Sequence, residues 1–451
     1  KYDVTRTLKV DFAVNSQANI DEPAGRLDKN DSFYREKMDT IWNNFWNFGR
    51  VTNYHQAFNI NYQVPLNKIP IFNFLSLNTR YNANYNWTAA PLAVQHLGNT
   101  IQNSNTKQYN GQINLTTLYN KVPYFRKINQ GNRKKGRTVA RNRQQKAKTE
   151  EKEKGKNQYE ILKHMTRFVL GVKNISVNYS INQGTMLPGY TPKPHFLGQE
   201  WSQMAPGIPF AFGSQNDIRF KAGRKGWITR DSTLNTLYQT NNSTNLTLRS
   251  SVEPFKQFRI DITANKTTST DKQEYFRWDE MNNSFNSFSP TESGRYSISF
   301  ISWSTAFVGN DENYSSATFA KFRGYRADIA RRLAAANPNF TGGIDPLTGY
   351  PIEYDNADTI PTGGYSATSQ EVMIPAFLAA YGGKNPLNVS LTAMPTIPLP
   401  NWRITYNGFI RTALIKKYFK TFTLGHAYRS NYTVGSYTTN LNYGEGDEMN
   451  L

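Results

Sequence analysis

Apolar and polar residues alternate with period two, in segments of about ten residues that follow one another from end to end of the chain. Leu8, Val10, Phe12 and Val14 alternate with Lys9, Asp11, Ala13 and Asn15. Phe58, Ile60, Tyr62 and Val64 do so with Asn59, Asn61 and Gln63. In a third segment Leu75, Leu77, Tyr81, Ala83, Tyr85 and Trp87 oppose Ser76, Asn78, Arg80, Asn82, Asn84 and Asn86. The split recurs at Tyr109–Leu115, Ile175–Asn182, Leu246–Val252, Phe258–Ala264 and Tyr296–Phe300, and more weakly at Phe422–Tyr428. Weaker strand-like pieces stand at 389–391 and 402–406. These spacings predict an all-β chain of antiparallel strands.

One apolar and one polar face per strand fits either a soluble β-sandwich or a transmembrane barrel. Three features favour the barrel. The polar face is mostly Asn, Ser, Thr and Gln, which suits a hydrated lumen. Rings stand near segment ends (Tyr54, Tyr85, Trp87, Tyr179), where interfacial girdles belong. Short and long connections alternate, as a barrel with tight turns on one side and large loops on the other requires. The lipid-facing set is then Leu8, Val10, Phe12, Phe58, Ile60, Tyr62, Leu77, Tyr81, Tyr85, Ile175, Val177, Tyr179, Leu246, Leu248, Ile260 and Ile262. The lumen-facing set is Asn59, Asn61, Asn78, Arg80, Asn82, Asn84, Asn174, Ser176, Asn178, Arg259 and Asp261.

Counting parity divides the chain. Residues 1–115 hold strands with extracellular loops, and 116–167 form a basic periplasmic insert. Residues 168–303 hold strands with a large extracellular loop at 183–242, rich in Gly, Pro and rings. Parity puts 304–421 on the periplasmic side, and 422–451 return to strand and loop. Two helices are expected in the 304–421 stretch. One covers 316–336, with Phe319, Phe322, Ile329 and Leu333 at helical spacing. The other starts at a capping-box spacing of Thr368 and Glu371, with Pro375 kinking it. The number of strands does not suggest a closed even-stranded unit, so the chain reads as an arc of a larger barrel and a piece of a longer polypeptide.

Several strings go beyond pattern: Asn53-Tyr-His-Gln, Val64-Pro-Leu-Asn-Lys-Ile-Pro, Tyr81-Asn-Ala-Asn-Tyr-Asn-Trp and Leu97-Gly-Asn-Thr-Ile-Gln-Asn-Ser. Tyr119-Asn-Lys-Val-Pro-Tyr, Ala205-Pro-Gly, Gly213-Ser-Gln, Ile374-Pro-Ala-Phe-Leu-Ala-Ala-Tyr, Pro398-Leu-Pro-Asn-Trp and Tyr428-Arg-Ser continue them in order. Together they resemble the SprA/Sov family, the giant outer-membrane β-barrel translocon of the type IX secretion system. The resemblance implies an outer-membrane location and the wall of a wide pore that passes folded proteins. It also implies partners: a PorV-type shuttle barrel, a plug protein, periplasmic components, an inner-membrane motor, and cargo with a C-terminal secretion domain. It implies no active site and no cofactor. An alternative keeps the barrel but makes it a surface binding or assembly platform.

Composition adds little chemistry. The 451 residues contain 50 Asn, no Cys and 14% aromatics, so disulfides, thiolate metal sites and a cysteine nucleophile are excluded. No 18-residue apolar run occurs, which excludes a transmembrane helix. The net charge is +20, and half of it lies in 126–156, with 13 Lys and Arg against 3 Glu. Within that run Arg133, Lys134, Lys135, Arg137, Arg141 and Arg143 are candidates for contact with anionic lipid or an acidic partner. The run has no aromatics, which argues against nucleic acid. His55, His96, His164, His195 and His426 lack metal-ligand spacing, and no hydrolase elbow or phosphate loop is present. An enzyme is not expected.

Overall fold

A computed structural model of the chain describes residues 2–130, 170–338, 340, 342–354 and 361–439. The strands among them are β1 (Tyr2–Asp3), β2 (Leu8–Asn19), β3 (Arg50–Val64), β4 (Leu75–Thr88), β5 (Asn99–Asn114) and β6 (Val172–Tyr190). Then come β7 (Tyr238–Phe255), β8 (Phe258–Asp279), β9 (Ser284–Ser299), β10 (Gly343–Ile344), β11 (Pro351–Tyr354) and β12 (Pro361–Gly363). The last are β13 (Asn401–Tyr406), β14 (Leu424–Tyr428) and β15 (Asn431–Thr439). Each of the nine alternating segments falls mainly within one of them, so the fold is mostly antiparallel β-sheet. One 12-stranded sheet has the order β1 to β8, then β13 and β14, with β9 beside β8 and β15 beside β9; β10 to β12 form a small sheet. Among the described residues the sheet does not close on itself. No helix of the described residues is long and apolar enough to cross a membrane.

The chain divides into two units. The first comprises 1–256, 267–295 and 434–451. Its strands β2 to β7 pair in phase, so period-two alternation in six sequences becomes two continuous surfaces. Leu8, Tyr62, Thr79, Tyr109, Tyr179 and Leu246 are successive partners in one row. Asp11, Asn59, Asn82, Thr106, Asn182 and Ser243 make a row of opposite parity. A slip of one residue would bring these rows onto the wrong faces, which is why the register is strongly specified. Among the described residues, only the two residues of β1 pair with β2 on its outer side.

These strands are long: 15, 14, 16, 19 and 18 residues for β3 to β7. Each runs beyond the segment of about ten residues whose alternation marks it in the sequence, so each has a surplus. That surplus shortens the connections expected from sequence. The loop expected at 183–242 is reduced to 191–237, and the one before Tyr109 to 89–98. The connection between β2 and β3 contains an unexpected helix, Tyr34–Trp46.

The second unit comprises 257–266 and 296–433. Helices Ala317–Ala336 and Gln370–Tyr381 pack through Ile329, Ala330, Val372, Ala376 and Ala379, where small residues allow close approach. Ser316 caps the first, its hydroxyl accepting from the Phe319 amide at 3.3 Å. The capping box expected at the second does not form: Thr368 bonds to Ser366 instead, and Ser369 stands at the cap with its hydroxyl donating to Ser366 O at 3.2 Å rather than bonding a helix amide. Val389, read as strand-like, is buried in this helical core.

The helical stretch also ends earlier than expected. Asn401–Tyr406 is not part of it, because β13 pairs with β8 from Asn401↔Thr263 to Tyr406↔Phe258. The Leu399 amide donates to the Ser299 carbonyl at 2.9 Å, and the Ser299 hydroxyl to the Leu399 carbonyl at 2.5 Å. Residues 300–398 are thus an excursion whose two ends meet, leaving at the end of β9 and rejoining where β13 begins. Parity counting assumed separate strand ends and does not apply to it. The strand β15 carried too little apolar alternation to be expected.

Candidate functional site

The register separates two surfaces on β2 to β7. Leu8, Val10, Ile60, Tyr62, Leu77, Ile175, Val177, Tyr179, Leu246 and Leu248 share one face and are all partly exposed. Asn59, Asn61, Asn78, Arg80, Asn82, Asn84, Asn174, Ser176 and Asn178 share the other. Side chains there bond across strands: Asn84 Nδ2 donates to Ser104 Oγ at 3.5 Å, and the Thr106 hydroxyl to Asn182 Oδ1 at 2.9 Å. In the second unit Ile260 and Ile262 are directly opposite Ile404 and Trp402, and Asp261 is opposite Arg403. Arg259 and Asp261 are paired with each other, Nε to Oδ1 at 2.8 Å. The polar surface offers hydration with few uncompensated charges.

Four residues expected to face lipid are covered in whole or part by 191–237, which folds back as a cap on the apolar-parity face. Tyr85 is fully buried, its ring 6.2 Å from that of Phe210. The Tyr81 hydroxyl donates to the Phe212 carbonyl at 2.6 Å. The Phe212 ring lies 6.1 Å from Phe12 and 5.1 Å from Phe58. Cap and strand residues Tyr54, Trp87, Ile101, Leu187, Tyr190, Trp227 and Phe276 join Tyr85 and Phe210 in one buried cluster.

The reason for this correction lies in where the alternation breaks. Gln56, Tyr85, Asn103 and Thr185 are cross-strand partners on β3 to β6, so three polar residues occupy apolar-parity positions side by side. With Tyr81 and Asn105 they grip five successive carbonyls of the cap. Asn103 Nδ2 donates to Phe210 O at 3.0 Å and Ser214 O at 2.7 Å. Gln56 Nε2 donates to Ala211 O at 3.2 Å, Tyr81 to Phe212 O, and Asn105 Nδ2 to Gly213 O at 2.6 Å. Thr185 reaches Gln215 Oε1 at 2.8 Å, and Gln215 Nε2 donates to Asn103 Oδ1 at 3.0 Å. Ile208–Ala211 is a single helical turn; Phe210 O accepts from the Gly213 amide just past it, and Ala211 O has no partner within the turn. Sheet amides supply what the helix cannot. Sequence reading missed these residues; the cluster of parity violations on adjacent strands was the available signal.

Arg219 fixes the other side of the cap. Its guanidinium bonds both Asp217 oxygens, pairs with Glu274 of β8, and lies 4.4 Å from the Tyr238 ring centre and 5.4 Å from that of Phe276. Burial pushes the Asp217 carboxyl up, but its bonds to Arg219 and to the Arg219 amide outweigh this and hold it below the usual range. Glu200 is held low by the hydroxyl and amide of Ser202, with His195 Nε2 3.1 Å away. Asp231 is held low by Thr233.

Neither His195 nor His96, which stands 3.8 Å from Asp231, belongs to a metal-binding cluster. Among the described residues no group of three metal-capable side chains occurs. A cavity of about 350 Å³ is lined chiefly by amides and hydroxyls such as Gln102, Ser104, Gln239 and Gln273, together with Asp271 and Lys272. The six cations Arg133, Lys134, Lys135, Arg137, Arg141 and Arg143 lie outside the described residues, as does His164. No protein-family model matches the chain, and no curated protein matches it.

Proposed function

We propose that this chain is part of the wall of a wide protein-conducting pore in the outer membrane, the translocon of a type IX secretion system. The observation that carries the reading is the in-register split of six consecutive strands into a partly exposed apolar surface and a surface of Asn, Ser and Thr. The apolar surface meets lipid. The polar surface lines a hydrated channel, past which a folded cargo slides without a strong binding site. Its work is passive, and energy comes from partners. An open antiparallel sheet leaves backbone groups unpaired at its edges, which lipid penalises by several kcal/mol per group, so further strands complete the barrel. The proposed partners are a PorV-type shuttle barrel, a plug protein, periplasmic components with an inner-membrane motor, and cargo bearing a C-terminal secretion domain.

A cysteine scan of β6 tests this. The chain has no native Cys, so single substitutions report one site each. Cysteines at 175, 177 and 179 should react with lipid-soluble reagents, and those at 176, 178 and 180 with aqueous ones. Protection of 175, 177 and 179 from both would mean a protein core and would remove the membrane reading. The cap supports a second reading, an outer-membrane platform for surface binding or assembly, because 191–237 presents exposed Phe196, Trp201, Ile208 and Phe220 over a rigid attachment. Loss of a surface partner, with export intact, after replacement of these four residues would favour it.

A further inference from the structure

The connection between β13 and β14, residues 407–423, has a composition unlike the rest of the wall. Phe409, Leu414, Tyr418 and Phe419 are exposed, by 40%, 76%, 69% and 54%, and no residue of the segment is buried. Arg411, Lys416, Lys417 and Lys420 are exposed among them. None of these four cations has an ion pair among the described residues. The deficit of acid is wider still, since no Asp or Glu occurs between Glu371 and Glu445.

The local structure puts both kinds of side chain at one place. Ala413–Tyr418 is a short helix, so Leu414 and Tyr418, four apart, lie on the same side, while Lys416 and Lys417 are displaced around the cylinder. The Lys417 ammonium lies 5.5 Å from the Tyr418 ring centre. Phe409 and Phe419 each pack on Phe422, at 5.9 and 6.1 Å, which ties the segment together. It leaves the sheet from Tyr406, opposite Phe258, and the Asn407 amide donates to Gln257 O at 3.0 Å. It therefore emerges at the end where β7 passes to β8 through a two-residue turn. Outer-membrane barrels keep such tight turns on the periplasmic side, beside a phospholipid leaflet.

We propose that residues 407–423 are an interfacial anchor that binds anionic phospholipid headgroups, with Leu414, Tyr418 and Phe419 entering the headgroup–acyl boundary and Arg411, Lys416, Lys417 and Lys420 contacting phosphates. Exposed rings and an aliphatic side chain beside unpaired cations are what an anionic membrane surface selects. The occupant is lipid: cations without an ion pair among the described residues, interleaved with exposed rings and an aliphatic side chain, match an anionic headgroup layer above an apolar one, and no acid between Glu371 and Glu445 competes for them. The inference rests on the membrane-wall reading, and the experiment separates the two.

Full-length chains with Leu414→Cys or Val177→Cys carry an environment-sensitive fluorophore. They are reconstituted in phosphatidylcholine alone or mixed with phosphatidylglycerol, with brominated lipid as quencher. The 414 label is expected to be quenched only in the anionic bilayer. Raised ionic strength should weaken the effect, and Lys416→Glu with Lys417→Glu and Lys420→Glu should weaken the association about a hundredfold or more. The 177 label is expected to be quenched in both bilayers. Quenching at 177 with 414 in water in both would overturn the anchor and leave the wall. If 177 is never quenched, the wall reading falls, and 414 alone decides the anchor through its response to added anionic vesicles. Equal quenching of 414 in both bilayers would overturn headgroup recognition. Protection of 414 by polyglutamate in detergent, without response to phosphatidylglycerol, would overturn the lipid in favour of an acidic polypeptide.

Discussion

Gly213→Ala should detach the cap from the sheet. Gly213 has φ +89°, and a Cβ there would lie 2.8 Å from Ala83 Cβ and from the Tyr81 hydroxyl oxygen, and 3.1 Å from Asn105 Cβ. The left-handed backbone alone costs an alanine about 1–2 kcal/mol. Overpacking adds about 1–3 kcal/mol, because all three neighbours belong to strand residues and two of the atoms are Cβ atoms fixed to the strand backbone. Displacing 213 also strains the Asn105 bond to its carbonyl and the Tyr81 bond to Phe212, worth about 1 kcal/mol each. Backbone and overpacking together total about 2–5 kcal/mol against the docked cap, before any loss from these two bonds. Gly226→Ala is the control, since Gly226 has φ +72° but nothing within 4 Å of the added carbon. It should cost only the backbone part, about 1–2 kcal/mol. A difference of about 2 kcal/mol corresponds to roughly thirty-fold in the opening equilibrium. Hydrogen exchange read by mass spectrometry, comparing peptides over 205–230 with peptides over 100–112, measures it. The Gly213 variant should exchange faster over the cap by that factor while the strands remain protected. Equal acceleration in both variants, or none in either, would refute the claim that 213 is a point of close contact.

Val177→Arg should destabilise the folded membrane-inserted protein by about 2–4 kcal/mol, and the adjacent Asn178→Arg should be tolerated; urea titration in lipid vesicles compares them. Arg219→Ala leaves Asp217 and Glu274 without their guanidinium in a mostly covered site and should loosen the cap by about 2–3 kcal/mol, with Arg219→Lys recovering part, as read by proteolysis after Lys221 and Arg224. Glu200, Asp217 and Asp231 are held below the carboxylate value of about 4 that they take in an unfolded chain, so their contribution is present above pH ~4 and is lost as pH falls below it. Cap protection should therefore be flat from neutral pH down to about 5 and decline below about 4; a decline beginning above pH 6 would implicate other groups. Replacing 301–398 by a short glycine linker should preserve β-sheet circular dichroism and barrel assembly, because Ser299 and Leu399 already meet; loss of the sheet would show that the excursion supports it.

Much of the sheet was legible in the sequence. A period of two needs no partner to be seen: each strand carries its own record of which side is wet, and nine segments sufficed to expect an all-β antiparallel chain. Strand ends were less legible. Tyr190 and Tyr238 lie in stretches where alternation stops, because there the sheet is covered by its own loop and neither parity needs to be apolar throughout. Of the expected arc of a larger barrel, the antiparallel sheet is present, and the described strands leave its edges open.

The cap and the excursion were decided by tertiary structure. Asn105 and Gly213 are 108 residues apart in the chain, and Gln56 and Ala211 are 155 apart; nothing local in either partner specifies the other. A polar residue at an apolar position looks like noise until β3, β5 and β6 align theirs in one row and the carbonyls of 210–214 arrive to accept from them. Likewise Ser299 and Leu399 come together because β8 has one flank that β9 and β13 both pair with, a fact of register rather than of composition. Periodicity records the environment of a residue, so the sequence by itself determined the strands and their two faces. Which segment returns to cover a face depends on hydrogen bonds between residues far apart in the chain, and only the folded sheet brings those together.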